Sequence, residues 1–245
     1  TMVLVRKVRE TRSIYLAIMA ISWFWFLGAA YLTQFPSFAK DVLHGDASLV
    51  TLLLAIFTVG IGLGSMMCEK LSGEHVELGI VPLGALGMTL FGIDLYGAVP
   101  LKPDTEVSWL IFLNDSGNWR LLIDLVGIGI SGGVFIVPLN AFVQFRSEEQ
   151  FRARTIAVIN IMNALFLVAS GLAGMLFLGV LDLTITEFFL ILSIMNLVVS
   201  AYIFYQVDEF VVRFIVWVLS HTIYRVNVKD LYHIPKQGPA VLVCN

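Results

Sequence analysis

The sequence predicts an all-α polytopic membrane protein of six transmembrane helices, followed by an interfacial helix and the opening strand or strands of an α/β domain. Three observations carry this expectation. Hydrophobic residues make up 58% of the 245-residue chain and charged residues only 13%, against about 45–50% and about 25% in soluble domains. Six segments are each long and apolar enough to cross a hydrocarbon core of about 30 Å, which takes about 20 residues of helix. The last of them ends at Gln206, and the final run AVLVCN then reads as a short buried strand launched from the turn formers Pro235, Gly238 and Pro239. A strand needs neighbours for its backbone groups, so more of the same domain is expected beyond Asn245.

The spans are expected at Ser13–Ser37, Ser48–Cys68, Glu77–Gly97, Leu121–Phe145, Arg154–Val180 and Thr184–Gln206. The first follows a basic segment and is too long, without a clear cleavage site, for a signal peptide. Pro82 and Pro138 fall inside the third and fourth spans, where kinks are expected because proline leaves a carbonyl without its helical donor. Small-residue rows, Gly60-x-x-x-Gly64, Gly129-x-x-x-Gly133 and Ser170-x-x-x-Gly174, mark places where helix backbones can approach closely. The aromatic run SWFWF, Ser22–Phe26, lies in mid-span and reads as bundle core or lipid-facing packing.

Lysine and arginine in short loops set the orientation. With the N-terminus inside, Arg6, Lys7, Arg9, Arg12, Lys70, Arg146, Arg152 and Arg154 lie on the inner side, against Lys40, Lys102 and Arg120 outside. Both ends are therefore expected in the cytoplasm. The net charge of −3 comes with no basic run suited to nucleic acid, which is excluded as a partner. Cys68 and Cys244 have no metal or disulfide spacing and read as packing residues. Within 207–245, Glu209, Arg213 and Ser220 share one narrow arc of an otherwise apolar helix over Asp208–Ser220. That helix either lies in the membrane interface, with Trp217 at headgroup level, or packs on the rest of the soluble domain.

Polar groups inside a membrane cost free energy unless partnered, which makes them the first candidates for a substrate path. Asn140 and Gln144 lie one turn apart on the fourth span, Asn160 and Asn163 nearly so on the fifth, and Asn196 is a mid-span amide on the sixth. They serve either as interhelical hydrogen-bonding groups or as a cavity lining suited to a polar headgroup. Toward the outer face, Arg120 and Asp124 are spaced i, i+4 and are expected to form a surface or gate ion pair, while Asp94 stands alone in FGIDLYG. No residue pattern in the chain points to a metal site or a bound cofactor.

The loop after the second span, GSMMCEKLSGEHVELG, places Gly64, Glu69 and Lys70 like the Gly-x-x-x-Asp-Arg type signature of major facilitator transporters, with Glu for Asp and Lys for Arg. SGGVFIVPLNAFVQ, Ser131–Gln144, and RARTIAVINIMNALFLVAS, Arg152–Ser170, resemble the fourth and fifth helices of the C-terminal half of bacterial lysophospholipid transporters in that superfamily. The resemblance implies that 1–206 is half of a twelve-helix bundle whose N-terminal six-helix half lies elsewhere. It implies alternating access, a bacterial cytoplasmic-membrane location and transfer of lysophospholipid to the inner leaflet. Asn140, Gln144, Asn160 and Asn163 would contact the headgroup, and Glu69, Lys70, Arg152 and Arg154 would form inner gate or loop pairs. Some members carry a basic residue in the first helix of this half, where GAAYLTQF is uncharged.

The tail YRVNVKDLYHIPKQGPAVLVCN resembles the opening of glycerolipid acyltransferases, in which such a strand runs into a catalytic His-x-x-x-x-Asp motif. In that family the His is general base for the acceptor hydroxyl and the Asp orients it. The motif is then expected just beyond Asn245, because neither His221 nor His233 is followed by Asp five residues later. An activated acyl donor, a thioester of acyl carrier protein or coenzyme A, is implied for that domain. The combined expectation is lysolipid transport coupled to re-acylation, with this chain inactive in both by itself. The alternatives are an acyltransferase that the helices merely anchor, and a transporter of another small molecule.

Overall fold

A computed structural model describes residues 2–72, 78–100, 105–147, 152–206 and 215–216. Its helices are α1 (Met2–Ser37), α2 (Ala47–Ser72), α3 (Val81–Gly97), α4 (Trp109–Asn114), α5 (Trp119–Arg146), α6 (Arg152–Gly174) and α7 (Ile185–Gln206). Six of them are long and apolar enough to cross a membrane, and the short α4 is an addition to the six expected segments. The expected interfacial helix over Asp208–Ser220, apart from helical Ile215 and Val216, and the strand AVLVCN lie outside the described residues.

Two spans run further than a continuous α-helix. The first passes Pro36 and continues through a π-helical turn over Phe38–Val42, and α6 continues likewise through Met175–Val180. Both then stop in the same way. His44 and Asp182 take left-handed φ values of 53° and 52°, a conformation that ends a helix because its carbonyls then face groups from the following turn. Gly45 N donates to Ala39 O at 2.8 Å and Leu183 N to Phe177 O at 3.0 Å, each six residues back.

The next helices begin with side-chain caps. Asp46 Oδ1 accepts from Ser48 N at 2.8 Å and Leu49 N at 3.1 Å, which satisfies donors that the first turn of α2 leaves open. Thr184 and Glu187 form a reciprocal pair at the start of α7: Thr184 N donates to Glu187 Oε2 at 2.8 Å, and Glu187 N to Thr184 Oγ1 at 3.3 Å. Pro82 corrects the expected kink in the third span. A 3-10 turn over Leu78–Ile80 precedes α3, and Pro82 occupies its first turn, where a missing N–H costs nothing. Pro138 is buried inside α5 as expected.

Packing follows the small residues. α2 lies on α5 so closely that a Cβ on Gly64 would stand 2.0 Å from Ile130 O, and one on Gly133 2.4 Å from Ile61 O. Gly60 and Gly129 face the same interface, whereas Gly174 has room and only Ser170 of its row is buried. α5 also packs on α3, α3 on α7, and α1 on both α5 and α6. One core cluster gathers the rings of Tyr31, Phe35, Phe57 and Phe189, with Tyr31 and Phe189 centroids 4.7 Å apart. A second, around Leu16, Ile21, Phe135 and Phe142, fills the other end of the bundle.

The ends of the bundle are tied. Val107 N donates to His44 O at 2.9 Å and Asp46 N to Val107 O at 3.1 Å, joining the α1–α2 turn to the loop before α4. At the opposite end Arg12 Nη2 donates to Gln206 Oε1, so the first and sixth spans finish on one side.

Candidate functional site

The polar residues of the spans divide into a buried set and an exposed set. α1 organises the buried one. Its Trp23 donates from Nε1 to Asn196 Oδ1 at 3.0 Å, and Asn196 Nδ2 donates to Ala85 O at 3.0 Å and Thr89 Oγ1 at 2.9 Å. Ser200 Oγ adds a longer contact to Asn196 Oδ1 at 3.4 Å. Asn196 is 1% exposed, so every polar atom of its amide is satisfied inside protein, and α1, α3 and α7 are bonded through one side chain. Of the two roles the sequence leaves open for Asn196, an interhelical hydrogen-bonding group or a cavity lining, this geometry is that of the first: it joins helices.

Asn163 plays the corresponding part between α1 and α6. With its amide oriented to satisfy both atoms, it donates to Ser22 Oγ at 2.9 Å and Ile159 O at 3.3 Å, and accepts from Trp25 Nε1 at 3.2 Å. The SWFWF run thus carries two indole donors on different faces of α1, each aimed at an asparagine that the sequence marks separately. Nothing in the spacing of these residues pairs them, because which tryptophan meets which amide depends on helix order. Above them Tyr31 Oη and Ser193 Oγ approach to 3.4 Å, also unforeseen. A narrow space of about 20 Å³ lies between Phe24, Tyr31, Met88, Ser193 and Asn196, about one water in size.

The exposed set is different in kind. Gln144 on α5 and Asn160 on α6 face outward, and neither makes a side-chain hydrogen bond among the described residues. Asn140, one turn before Gln144, is half-buried and donates to Ile136 O of its own helix at 3.0 Å. α6 is the least covered span, with Ile161, Leu165, Val168 and Leu172 all exposed beside Asn160. An outward amide in this apolar surface calls for water, another polar helix or a polar ligand, because hydrocarbon offers no hydrogen-bond partner.

At the other end, the expected Arg120–Asp124 ion pair is replaced by one between helices. Arg120 Nη2 donates to Asp94 Oδ1 at 2.6 Å and Nε to Asp94 Oδ2 at 3.0 Å, a two-pronged bond from α5 to α3. A fork can reach both carboxylate oxygens of Asp94 across the helix contact, which its own-helix neighbour four residues on does not match. Asp124 is instead buried beside Asp94, with Oδ2 unpartnered. Arg154 is exposed at the start of α6, Arg152 begins that helix, and Glu69 and Lys70 close α2. The side chains of Glu69, Lys70 and Arg152, expected in gate pairs, lie outside those described. Comparison with protein-family models, with curated proteins and with solved structures found no match.

Proposed function

We propose that this chain is the lipid-handling half of a bacterial cytoplasmic-membrane transporter that moves lysophospholipid to the inner leaflet, with both chain ends in the cytoplasm. The observation that carries the reading is the pair of outward amides, Gln144 and Asn160, without a side-chain hydrogen bond among the described residues, on spans that flank α1. An uncharged amide can bond a phosphoester or glycerol hydroxyl without the desolvation cost of a buried ion. Helix order supports it as well. The second span packs on the fourth and the fifth on the first, the exchange that two inverted three-helix repeats produce, as in each half of major facilitator transporters. A further six-helix half would cover the outward faces and enclose the amides. The acyltransferase reading of 207–245 belongs to the same proposal: a longer protein would return the second acyl chain from an activated donor.

Saturable binding of a fluorescent lysophosphatidylethanolamine to the purified chain in nanodiscs tests the headgroup contact. Gln144→Leu and Asn160→Leu are expected to weaken binding by up to about tenfold each, the worth of one hydrogen bond. Unchanged binding in both variants, with a diacyl lipid competing equally well, would discard the reading.

A further inference from the structure

Two carboxylates and one guanidinium meet at the contact of α3 and α5. Arg120 gives both prongs to Asp94, and Asp124, 2% exposed, keeps Oδ2 without a partner beside the Asp94 carboxylate. With both acids ionised the cluster carries one uncompensated negative charge, and the buried Oδ2 of Asp124 is an acceptor with no donor. A single proton removes both faults. It neutralises the cluster and turns Asp124 into a donor toward Asp94, while Arg120 stays where it is.

We propose that Asp124 is a proton-binding site and that its proton latches α3 to α5. When the proton leaves, Asp124 becomes a second anion that competes for Arg120, which stands four residues before it on the same helix, and the hold of Arg120 on Asp94 is weakened. The two-pronged bond between α3 and α5 then loosens. Among the described residues, the charged groups acting on Asp124 are Asp94 from α3 and Arg120 from α5 itself. α2 has no acidic or basic residue from Ala47 to Cys68. α1 brings Tyr31, which is engaged by Ser193, and the turn before α5 brings Asp115, which accepts from Gly117 N at 2.9 Å. The proposal stands independently of the lipid reading, since it concerns only these three side chains.

Infrared difference spectra of the purified chain, recorded across a pH titration, test it through the carbonyl stretch that a protonated carboxyl shows and a carboxylate lacks. The expected result is such a band at neutral pH, lost as pH rises, and absent in Asp124→Asn. Asp94→Asn is expected to abolish it too, because the released Arg120 then pairs with Asp124, whereas Arg120→Gln is expected to retain it. These two variants keep Asp124 in place, so the outcome does not depend on the folding of Asp124→Asn. A wild-type chain without the band at neutral pH, or a band that survives Asp124→Asn, would overturn the proposal. So would a thermal midpoint raised by sodium in a chain without the band, which would assign the site to a metal cation.

Discussion

Trp23 and Asn196 meet at 3.0 Å in the interior of the bundle, 173 residues apart in the chain. The indole has one donor and no acceptor, and the amide oxygen that receives it belongs to a side chain whose two N–H groups are already spent on α3. Each group therefore finishes the other's hydrogen bonding where water and lipid supply none. Asn163 and Trp25 repeat the arrangement between α1 and α6. The first span thereby becomes the polar spine of the bundle, although its sequence from Ser13 to Phe35 contains no charge.

Replacement of Asn196 by leucine should lower stability by about 1–2 kcal/mol, the upper end for hydrogen bonds between membrane helices. Trp23 would lose its partner, and Thr89 and the Ala85 carbonyl would each lose one bond while keeping the one between them. Trp23→Phe, which removes one donor, should cost less. Thermal unfolding of the purified chain in detergent, followed by retention of monodisperse elution, ranks the two; equal midpoints would show that the network contributes nothing.

Gly64→Ala should be damaging and Gly62→Ala harmless, two residues away on the same helix. A methyl at 64 would collide with the backbone of α5, which cannot rotate aside, and overpacking of this kind costs about 1–3 kcal/mol. Position 62 has nothing within 4 Å, so alanine there removes only the flexibility of glycine and should stabilise the helix by up to about 1 kcal/mol. The pair is read by the difference in thermal midpoint, and a loss at 62 as large as that at 64 would contradict the helix contact.

The α1–α2 turn should be sensitive to acid through Asp46. Its carboxyl is held below the usual carboxylate range, first by the hydrogen bond from Ser48 Oγ at 2.5 Å and then by the Leu49 and Ser48 amides. A depressed native value adds stability above the unfolded carboxyl range and loses it as pH falls through the lower native value. Asp46→Ala should therefore unfold at a lower temperature than the parent at neutral pH, with the gap closing toward acid. A gap independent of pH would remove the cap from the account.

Tyr31 distinguishes ring from hydroxyl. Its ring is buried among Phe35, Phe57 and Phe189, while its contact to Ser193, at 3.4 Å, is long for an O–H bond. Tyr31→Phe should leave stability nearly unchanged, and Tyr31→Ala should cost about 3 kcal/mol by opening a cavity. A large loss in the phenylalanine variant would make the hydroxyl the important part.

Much of the architecture was legible because its causes are local. A bilayer of given thickness asks for a given length of apolar helix, so the six spans could be placed within a few residues at most ends. Close packing of α2 was also foreseeable, since glycines four apart leave a groove whatever fills it. The π-helical ends after Phe38 and Met175 were not, because they depend on where the next helix must begin.

What the sequence by itself determined is therefore the solvent of this protein, the number and limits of its spans and the residues that need partners. Tertiary structure alone decided who the partners are. It took Asn196 and Asn163 into the bundle through Trp23 and Trp25, left Gln144 and Asn160 outside, and gave Arg120 to Asp94 rather than to Asp124. The reason is physical: hydrophobic length is a property of one segment, whereas a hydrogen bond between helices depends on which faces meet.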